Sequence, residues 1–108
     1  MYQMIPSQWK NATITYLTDA DLTAEVDLEK PYENMTIIVP ALDSTTLVCW
    51  AAEKTGGTYY TVGKSQSVEA GTGSYIDVWP ICGLQYIKIE TGTDQTANRT
   101  FRVRGVRS

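Results

Sequence analysis

The chain has 108 residues, of which 43% are hydrophobic, and its 12 acidic and 9 basic residues give a formal net charge of -3. This length suits a single domain over residues 1–108 with one hydrophobic core, and it is too short for a second lobe around a deep cleft. With no histidine and only two cysteines, the residue inventory excludes zinc-finger sites and Cys/His nucleophiles.

Short stretches of alternating apolar and polar residues, separated by turn residues, predict an all-β fold. We expect an antiparallel β-sandwich of jelly-roll type with about eight strands. Paired glycines at Gly56 and Gly57 indicate a hairpin turn of two residues. In chain order the predicted strands are 12–17, 23–28, 35–39, 46–52, 58–62, 75–79, 84–89 and 100–106.

The stretch TDADLTAEVDLE is rich in carboxylates, and its opening Asp19 and Asp21 suggest a calcium loop. That motif needs a glycine at its sixth position and a glutamate at its twelfth, where this chain has Ala24 and Lys30. We therefore predict no metal site, and an acidic turn followed by a strand with one solvated face. The predicted wet face carries Thr23, Glu25 and Asp27, and the opposite face carries Ala24, Val26 and Leu28.

No catalytic or membrane signature is present in the sequence. The chain lacks GxSxG, P-loop and GxGxxG motifs, and no spacing singles out a pair of carboxylates, so we predict neither an enzyme nor a bound cofactor. No apolar run approaches the ~18–20 residues that span a bilayer, and no signal segment is evident.

We expect Cys49 and Cys82 to be small buried side chains that are not bonded to each other, although the sequence leaves a disulfide open.

The stretch SYIDVWPICG carries the aromatic residues of most interest. Alternation places Tyr75, Asp77 and Trp79 on one face, with Ile76 and Val78 on the other. A carboxylate between two aromatic residues predicts that this face is wet, and exposed aromatic rings suit a protein interface or stacking on sugar rings. The alternative is that Trp79 covers one end of the sandwich.

The terminal stretch TANRTFRVRGVRS holds four of the nine basic residues. We expect Phe101 and Val103 to anchor a final strand, which turns Arg102 and Arg104 outward as an exposed row. Arg99 and Arg107 are predicted to flank that row.

Four arginines on an acidic chain make a poor field for nucleic acid, so we predict an acidic protein partner or else a solvated edge strand. We expect the partner surface to be the acidic stretch of a neighbouring copy or a carboxylate-rich patch of another protein. In this chain that acidic surface comprises Asp19, Asp21, Glu25 and Asp27, continued by Glu29 and Glu33.

The second half of the chain resembles small β-rich virion proteins of tailed bacteriophages. The resemblance is strongest over GLQYIKIETGTDQTANRTFRVRGV, with an apolar strand, a Gly/Thr/Gln turn and a final strand of alternating arginines. It implies a non-enzymatic accessory protein of a capsid or tail, without cofactor, that binds the major capsid protein or another virion protein, and it leaves open head decoration, a minor capsid role and a tail component. It further implies repeated copies on a virion assembled in the host cytoplasm, without nucleic-acid or membrane contacts. The alternative is a carbohydrate-binding module using Tyr75, Trp79 and Tyr59 or Tyr60.

Overall fold

The computed structural model describes residues 5–6, 8–63 and 67–107, and in this part of the chain every regular element is a strand. All pairings between the strands are antiparallel, so the prediction of an antiparallel all-β fold is confirmed. The six strands are β1 (Ile5–Pro6), β2 (Lys10–Ile14), β3 (Val26–Ala52), β4 (Tyr60–Thr61), β5 (Val68–Thr91) and β6 (Arg99–Arg107).

Strands β3 and β5 are much longer than predicted, because each continues through bends at which the alternation pattern predicts strand ends. The predicted strands 35–39 and 46–52 both belong to β3, and 75–79 and 84–89 both belong to β5. The pairing register shifts between Asp27 and Tyr32 and again between Ala41 and Thr45. Positive φ angles of 73° at Glu29 and 61° at Cys82 accompany such changes of direction. Bulges of this kind bend a strand without ending its pairing.

The hairpin at the paired glycines is confirmed in its position, since β3 pairs with β4 on either side of them. The connection runs over residues 53–59 and is therefore longer than the predicted two-residue turn. Gly56 has a φ of 65°, which a residue with a side chain adopts only with strain. Only two residues of the predicted strand 58–62 are paired.

Strand β6 lies inside the sheet. It pairs with β1 and β2 on one side and with β3 on the other, so that Arg102 has Asn11 and Ile38 as its cross-strand neighbours. The interpretation of the terminal strand as a solvated edge is therefore wrong.

The core is formed by the apolar side chains on one side of the strands. Both predicted anchors of β6, Phe101 and Val103, are fully buried in it. In the predicted strand 23–28, Val26 and Leu28 are buried as expected. Thr23 and Ala24 are reversed, since β3 begins only at Val26 and the buried Thr23 hydroxyl accepts a hydrogen bond of 3.0 Å from the Ile89 amide. The largest fully buried side chains include Phe101, Ile14, Leu28, Met35, Ile37, Leu47, Ile81, Ile87 and Ile89.

Candidate interaction surface

The side of the sheet opposite the core presents two rows of aligned side chains across β2, β6, β3 and β5. In the first row, Asn11 opposes Arg102, Arg102 opposes Ile38, and Ile38 opposes Ile76. In the second row, Arg104 opposes Thr36 and Thr36 opposes Val78. We call these residues, together with Trp9, the outer face.

Two apolar side chains on the outer face are strongly exposed: Ile76 is 67% exposed and Val78 is 56% exposed. They stand next to each other on one side of β5, beside the half-buried Ile38. Two adjacent apolar side chains on a flat strand surface are a typical element of a protein contact. None of the residues aligned in the two rows is a carboxylate.

Trp9 organises the two central arginines. The guanidinium carbons of Arg104 and Arg102 lie 5.0 Å and 5.9 Å from the centre of its ring, within the range of cation–π interaction. Among the described residues the ion pairs are Lys10 with Glu29 and Arg99 with Asp43, so neither central arginine is neutralised by a carboxylate there. The predicted outward turn of Arg102 and Arg104 agrees with their exposed and half-buried positions.

Of the two flanking arginines, Arg99 does not extend this row. Arg99 pairs across the strands with Ile14 on the core side, and its guanidinium lies 3.5 Å from Asp43 and donates to Gln95. The amide and hydroxyl of Thr96 also donate to Asp43, and these bonds, with the weaker influence of Arg99, hold the pKa of the Asp43 carboxyl below its usual value. The side chain of Arg107 lies outside the described residues.

The structure reverses the predicted faces of the aromatic stretch. Tyr75, Asp77 and Trp79 do share one side of β5, but they oppose the core residues Val39, Ile37 and Met35, and Trp79 is only 6% exposed. The prediction of a wet face is therefore wrong for Trp79, while Ile76 and Val78 take the exposed side.

A carboxylate fits at this core-facing position because local hydrogen bonds satisfy it. Asp77 accepts one bond of 2.8 Å from the Val78 amide and another of 3.2 Å from the Trp79 indole. Tyr75 packs against the core, and its hydroxyl is buried without a hydrogen-bond partner in the described part of the chain. Burial, followed by the charge of Asp77, raises the pKa of Tyr75.

Three members of the predicted acidic surface are engaged within the chain, and one of them, Glu29, forms the ion pair with Lys10. Glu25 accepts hydrogen bonds from the hydroxyls of Thr55 and Tyr59 and from the Gly56 amide, and so anchors the 53–59 connection. These bonds, that of Thr55 first, lower the pKa of Glu25. Asp27 accepts hydrogen bonds from the Glu29 amide and the Gln85 side chain.

Asp19 and Asp21 lie on a turn that comes after β2. The amides of Thr18 and Asp19 both donate to the Thr15 carbonyl at 2.9 Å, which folds the chain back sharply. We call residues 16–21 the acidic turn. Asp19 and Asp21 stand close together in it, near Asp94 and Glu90, and interaction with Asp19, followed by burial and these negative charges, raises the pKa of Asp21. The acidic turn also carries Leu17, which is 82% exposed, and Tyr16, which is 41% exposed.

An apolar pocket of about 100 Å³ opens beside Trp79. Sites for small molecules usually measure about 300–1,000 Å³, so this pocket is too small for a sugar or a cofactor. It is lined by Leu47, Cys49, Val62, Gly63, Val68, Trp79 and Pro80.

Both cysteines are free, as predicted, but only Cys49 is buried. Burial, with a smaller contribution from Cys82, raises the pKa of Cys49 to about 12. Cys82 is exposed at the positive-φ bend of β5, contrary to the expectation that both thiols are buried. The described residues contain no group of three or more His, Cys, Asp and Glu side chains placed to hold a metal ion, and no helix long and apolar enough to cross a membrane.

These features define an antiparallel all-β protein with one mixed apolar and cationic sheet face. No protein-family model matches the chain, and none of the curated proteins matches it. Among solved structures, the chain is similar to the SPBc2 prophage-derived protein YomS, with 12% identity over 94% of this chain and 96% of that chain and a TM-score of 0.53. This likeness shows a shared fold.

Two further solved structures have TM-scores below 0.5, and likenesses this weak carry no conclusion about the chain. The capsid asymmetric unit of cyanophage Pam1 is 19% identical over 95% of this chain and 82% of that chain, with a TM-score of 0.43. A pectin-binding carbohydrate-binding module is 10% identical over 99% of this chain and 90% of that chain, with a TM-score of 0.46.

Sequence reasoning missed four residues of the outer face and the acidic turn: Ile76 and Val78 on the outer face, Trp9 beneath the arginines, and Leu17 on the acidic turn. Leu17 carried a local signal, because a leucine directly before a Thr-Asp-Ala-Asp turn is placed where burial is difficult. The other three had none, since their positions depend on pairing between distant parts of the chain.

Proposed function

We propose that the chain is a non-enzymatic structural virion protein of a tailed phage, in a head-decoration or minor capsid role. It attaches to a capsid or tail through protein–protein contacts. The observation that carries this proposal is the outer face, where exposed Ile76 and Val78 on β5 share one side of the sheet, across β3, with two arginines on β6 that have no carboxylate partner among the described residues. Buried arginine and apolar side chains are the usual source of affinity and specificity at protein interfaces.

We also propose that the strands form a two-layered jelly roll of eight segments. Residues 10–14 pair with 99–107, which pair with 34–39, which pair with 75–80. In the other layer 60–61 pair with 47–52, which pair with 86–91, which pair with 22–27. Numbered along the chain, the layers read 1-8-3-6 and 2-7-4-5, the order produced by folding one long antiparallel ribbon. Jelly rolls occur in viral capsid and lectin domains, and the likeness to a prophage-derived protein supports the virion role at the level of fold.

The partner under this proposal is the major capsid protein or another virion protein, met by repeated copies of the chain on the particle. Its contact surface is acidic, because Arg102 and Arg104 present two cationic groups beside apolar side chains. Forked guanidinium groups pair best with carboxylates where an interface excludes water. Nucleic acid is a poorer partner, since the net charge is -3 and two arginines neutralise few phosphates.

The carbohydrate-binding alternative loses its two principal residues. Trp79 is 6% exposed and Tyr75 packs against the core, so neither ring offers a flat face to a sugar. Tyr60 is 68% exposed, but it stands alone on the short strand β4. Sugar binding is therefore the competing hypothesis, and the experiment below distinguishes it from the virion role.

The test is to purify particles of the virus or prophage that encodes the chain on a density gradient and to measure its abundance by quantitative mass spectrometry. We expect the chain at a fixed ratio to the capsid protein. A complementing gene with Ile76→Asp and Val78→Asp should reduce that ratio, while Glu53→Lys, an exposed change away from the outer face, should leave it unchanged. Absence of the chain from particles would refute the virion role, and specific binding on a glycan array would favour the carbohydrate alternative.

A further inference from the structure

Two surfaces of the chain match each other in both charge and apolarity. The outer face combines exposed Ile76 and Val78 with Arg102 and Arg104, and the rows that compose it contain no carboxylate. The acidic turn combines exposed Leu17 and Tyr16 with Asp19 and Asp21. Of the five large hydrophobic side chains exposed among the described residues, four therefore lie on these two surfaces, and the fifth is Tyr60.

The charges on the two surfaces are also left available. Arg102 and Arg104 stack on Trp9 without an ion pair in the described chain, whereas Lys10 and Arg99 are each held by a carboxylate. Within the acidic turn, Asp19 and Asp21 repel each other and lie near further negative charge from Asp94 and Glu90. A cation brought to the turn relieves that repulsion, and a carboxylate brought to the outer face pairs with a guanidinium already positioned by an aromatic ring.

We propose that the virion protein bound by the outer face is a second copy of the same chain, whose acidic turn docks on it, an inference that rests on the proposed function. Leu17 of the incoming turn covers Ile76 and Val78, while Asp19 and Asp21 approach Arg102 and Arg104. The two surfaces are different parts of the same chain, so the contact is heterologous. Copies therefore join head to tail and close into a ring or continue as an open array.

The experiment measures self-association by sedimentation velocity over a concentration series of the full chain. The face variant carries Arg102→Glu and Arg104→Glu, and the turn variant carries Asp19→Lys and Asp21→Lys. A control variant carries Glu53→Lys and Glu69→Lys, which reverse two exposed acids outside both surfaces. Because reversed charges repel across the contact, we expect each of the first two variants to associate at least about tenfold more weakly, and the control to associate like the wild type.

Mixing the variants provides the sharper test. The face variant retains an intact turn and the turn variant retains an intact face, and the reversed face and reversed turn are again opposite in charge, so an equimolar mixture should associate although neither variant does so alone. Raising the salt from about 0.1 M to about 1 M shortens the Debye length from about 10 Å to about 3 Å and should weaken the wild-type contact. Leu17→Ser provides a variant without any change of charge at a side chain that is 82% exposed, and it should also weaken association.

A wild-type chain that stays monomeric at the highest concentration would overturn this inference, as would variants that associate like the wild type or a mixture that associates no better than the separate variants. Circular dichroism of each variant separates loss of the contact from loss of the fold. The proposed function has its own measurement in purified particles. A monomeric chain found on particles would refute the head-to-tail contact alone, whereas association through these surfaces by a chain absent from particles would refute the virion role alone.

Discussion

Adding a single methyl group at Gly105 should destabilise the fold through Tyr32. Gly105 opposes Met35 in the pairing of β6 with β3, and the ring of Tyr32, which is 5% exposed, lies directly over it. A Cβ at position 105 would stand closer than van der Waals contact to three carbons of the Tyr32 ring, one of them Cε2 at 2.6 Å. Ordinary carbon contacts are about 3.5–4.0 Å, so the ring must move by about 1 Å or more.

The size of the effect depends on two opposing contributions. Forcing a methyl group into a packed site costs about 1–3 kcal/mol, whereas alanine at an unobstructed strand position gains about 0.5–1 kcal/mol over glycine. We therefore expect Gly105→Ala to lower the free energy of unfolding by about 1–2 kcal/mol. At about 4–8 °C per kcal/mol for a domain of this size, the melting temperature should fall by about 4–16 °C.

The measurement is urea unfolding monitored by tryptophan fluorescence, combined in a double-mutant cycle with Tyr32→Ala. Once the ring is removed, the added methyl group should be neutral or stabilising by up to about 1 kcal/mol, which gives a coupling between the two positions of about 1–3 kcal/mol. If Gly105→Ala costs the same with and without the Tyr32 ring, the clash is not the cause and the reasoning fails.

Three further predictions concern the carboxylate anchor, the thiols and the two sides of β5. Because the pKa of Glu25 is lowered in the folded state, its carboxylate stabilises the fold above its ordinary pKa of 4.5, and this stabilisation is lost as the pH falls through the folded-state pKa. The difference in free energy of unfolding between wild type and Glu25→Gln should therefore close below about pH 4.5. A difference that does not change with pH would contradict this. In the native protein a thiol reagent should modify Cys82 only, and Cys49 should react after unfolding; equal rates would refute its burial. Because Ile76 is exposed and Trp79 is buried, Ile76→Thr should change the free energy of unfolding by less than about 0.5 kcal/mol, whereas Trp79→Ala should lower it by about 3–5 kcal/mol. Calorimetry that finds the same change for both variants would contradict this assignment.

The sequence predicts β6 well because its two sides differ strongly in character. Phe101 and Val103 alternate with Arg102 and Arg104, so the pattern fixes both the strand and its buried side. In SYIDVW both sides carry large apolar groups, and alternation then fixes which residues share a side without fixing which side is buried. Asp77 misleads, because its hydrogen bonds to Val78 and Trp79 make a carboxylate acceptable against the core.

The extent of the strands and the composition of the outer face depend on contacts that no local pattern contains. Proline and glycine at Pro31, Pro40 and Gly71 suggest breaks, yet β3 and β5 continue through them because bulges and register shifts absorb the change of direction. The outer face aligns residues from four separate segments, and only the long-range register places Ile38 between Arg102 and Ile76.

The central position of β6 makes the order of folding matter. Thr13 and Thr100 share a hydrogen bond although they are 87 residues apart, so this part of the sheet forms only after nearly the whole chain is available. Pairing over such separations is slow, typically milliseconds to seconds. Until β6 inserts, β2 and β3 both present open edges that the β6 of another copy can fill equally well. Refolding at high concentration should therefore yield dimers with exchanged β6 strands. Size-exclusion chromatography should show them as a second species that is absent after dilute refolding. Dilution during refolding therefore favours the fold in which each chain keeps its own β6.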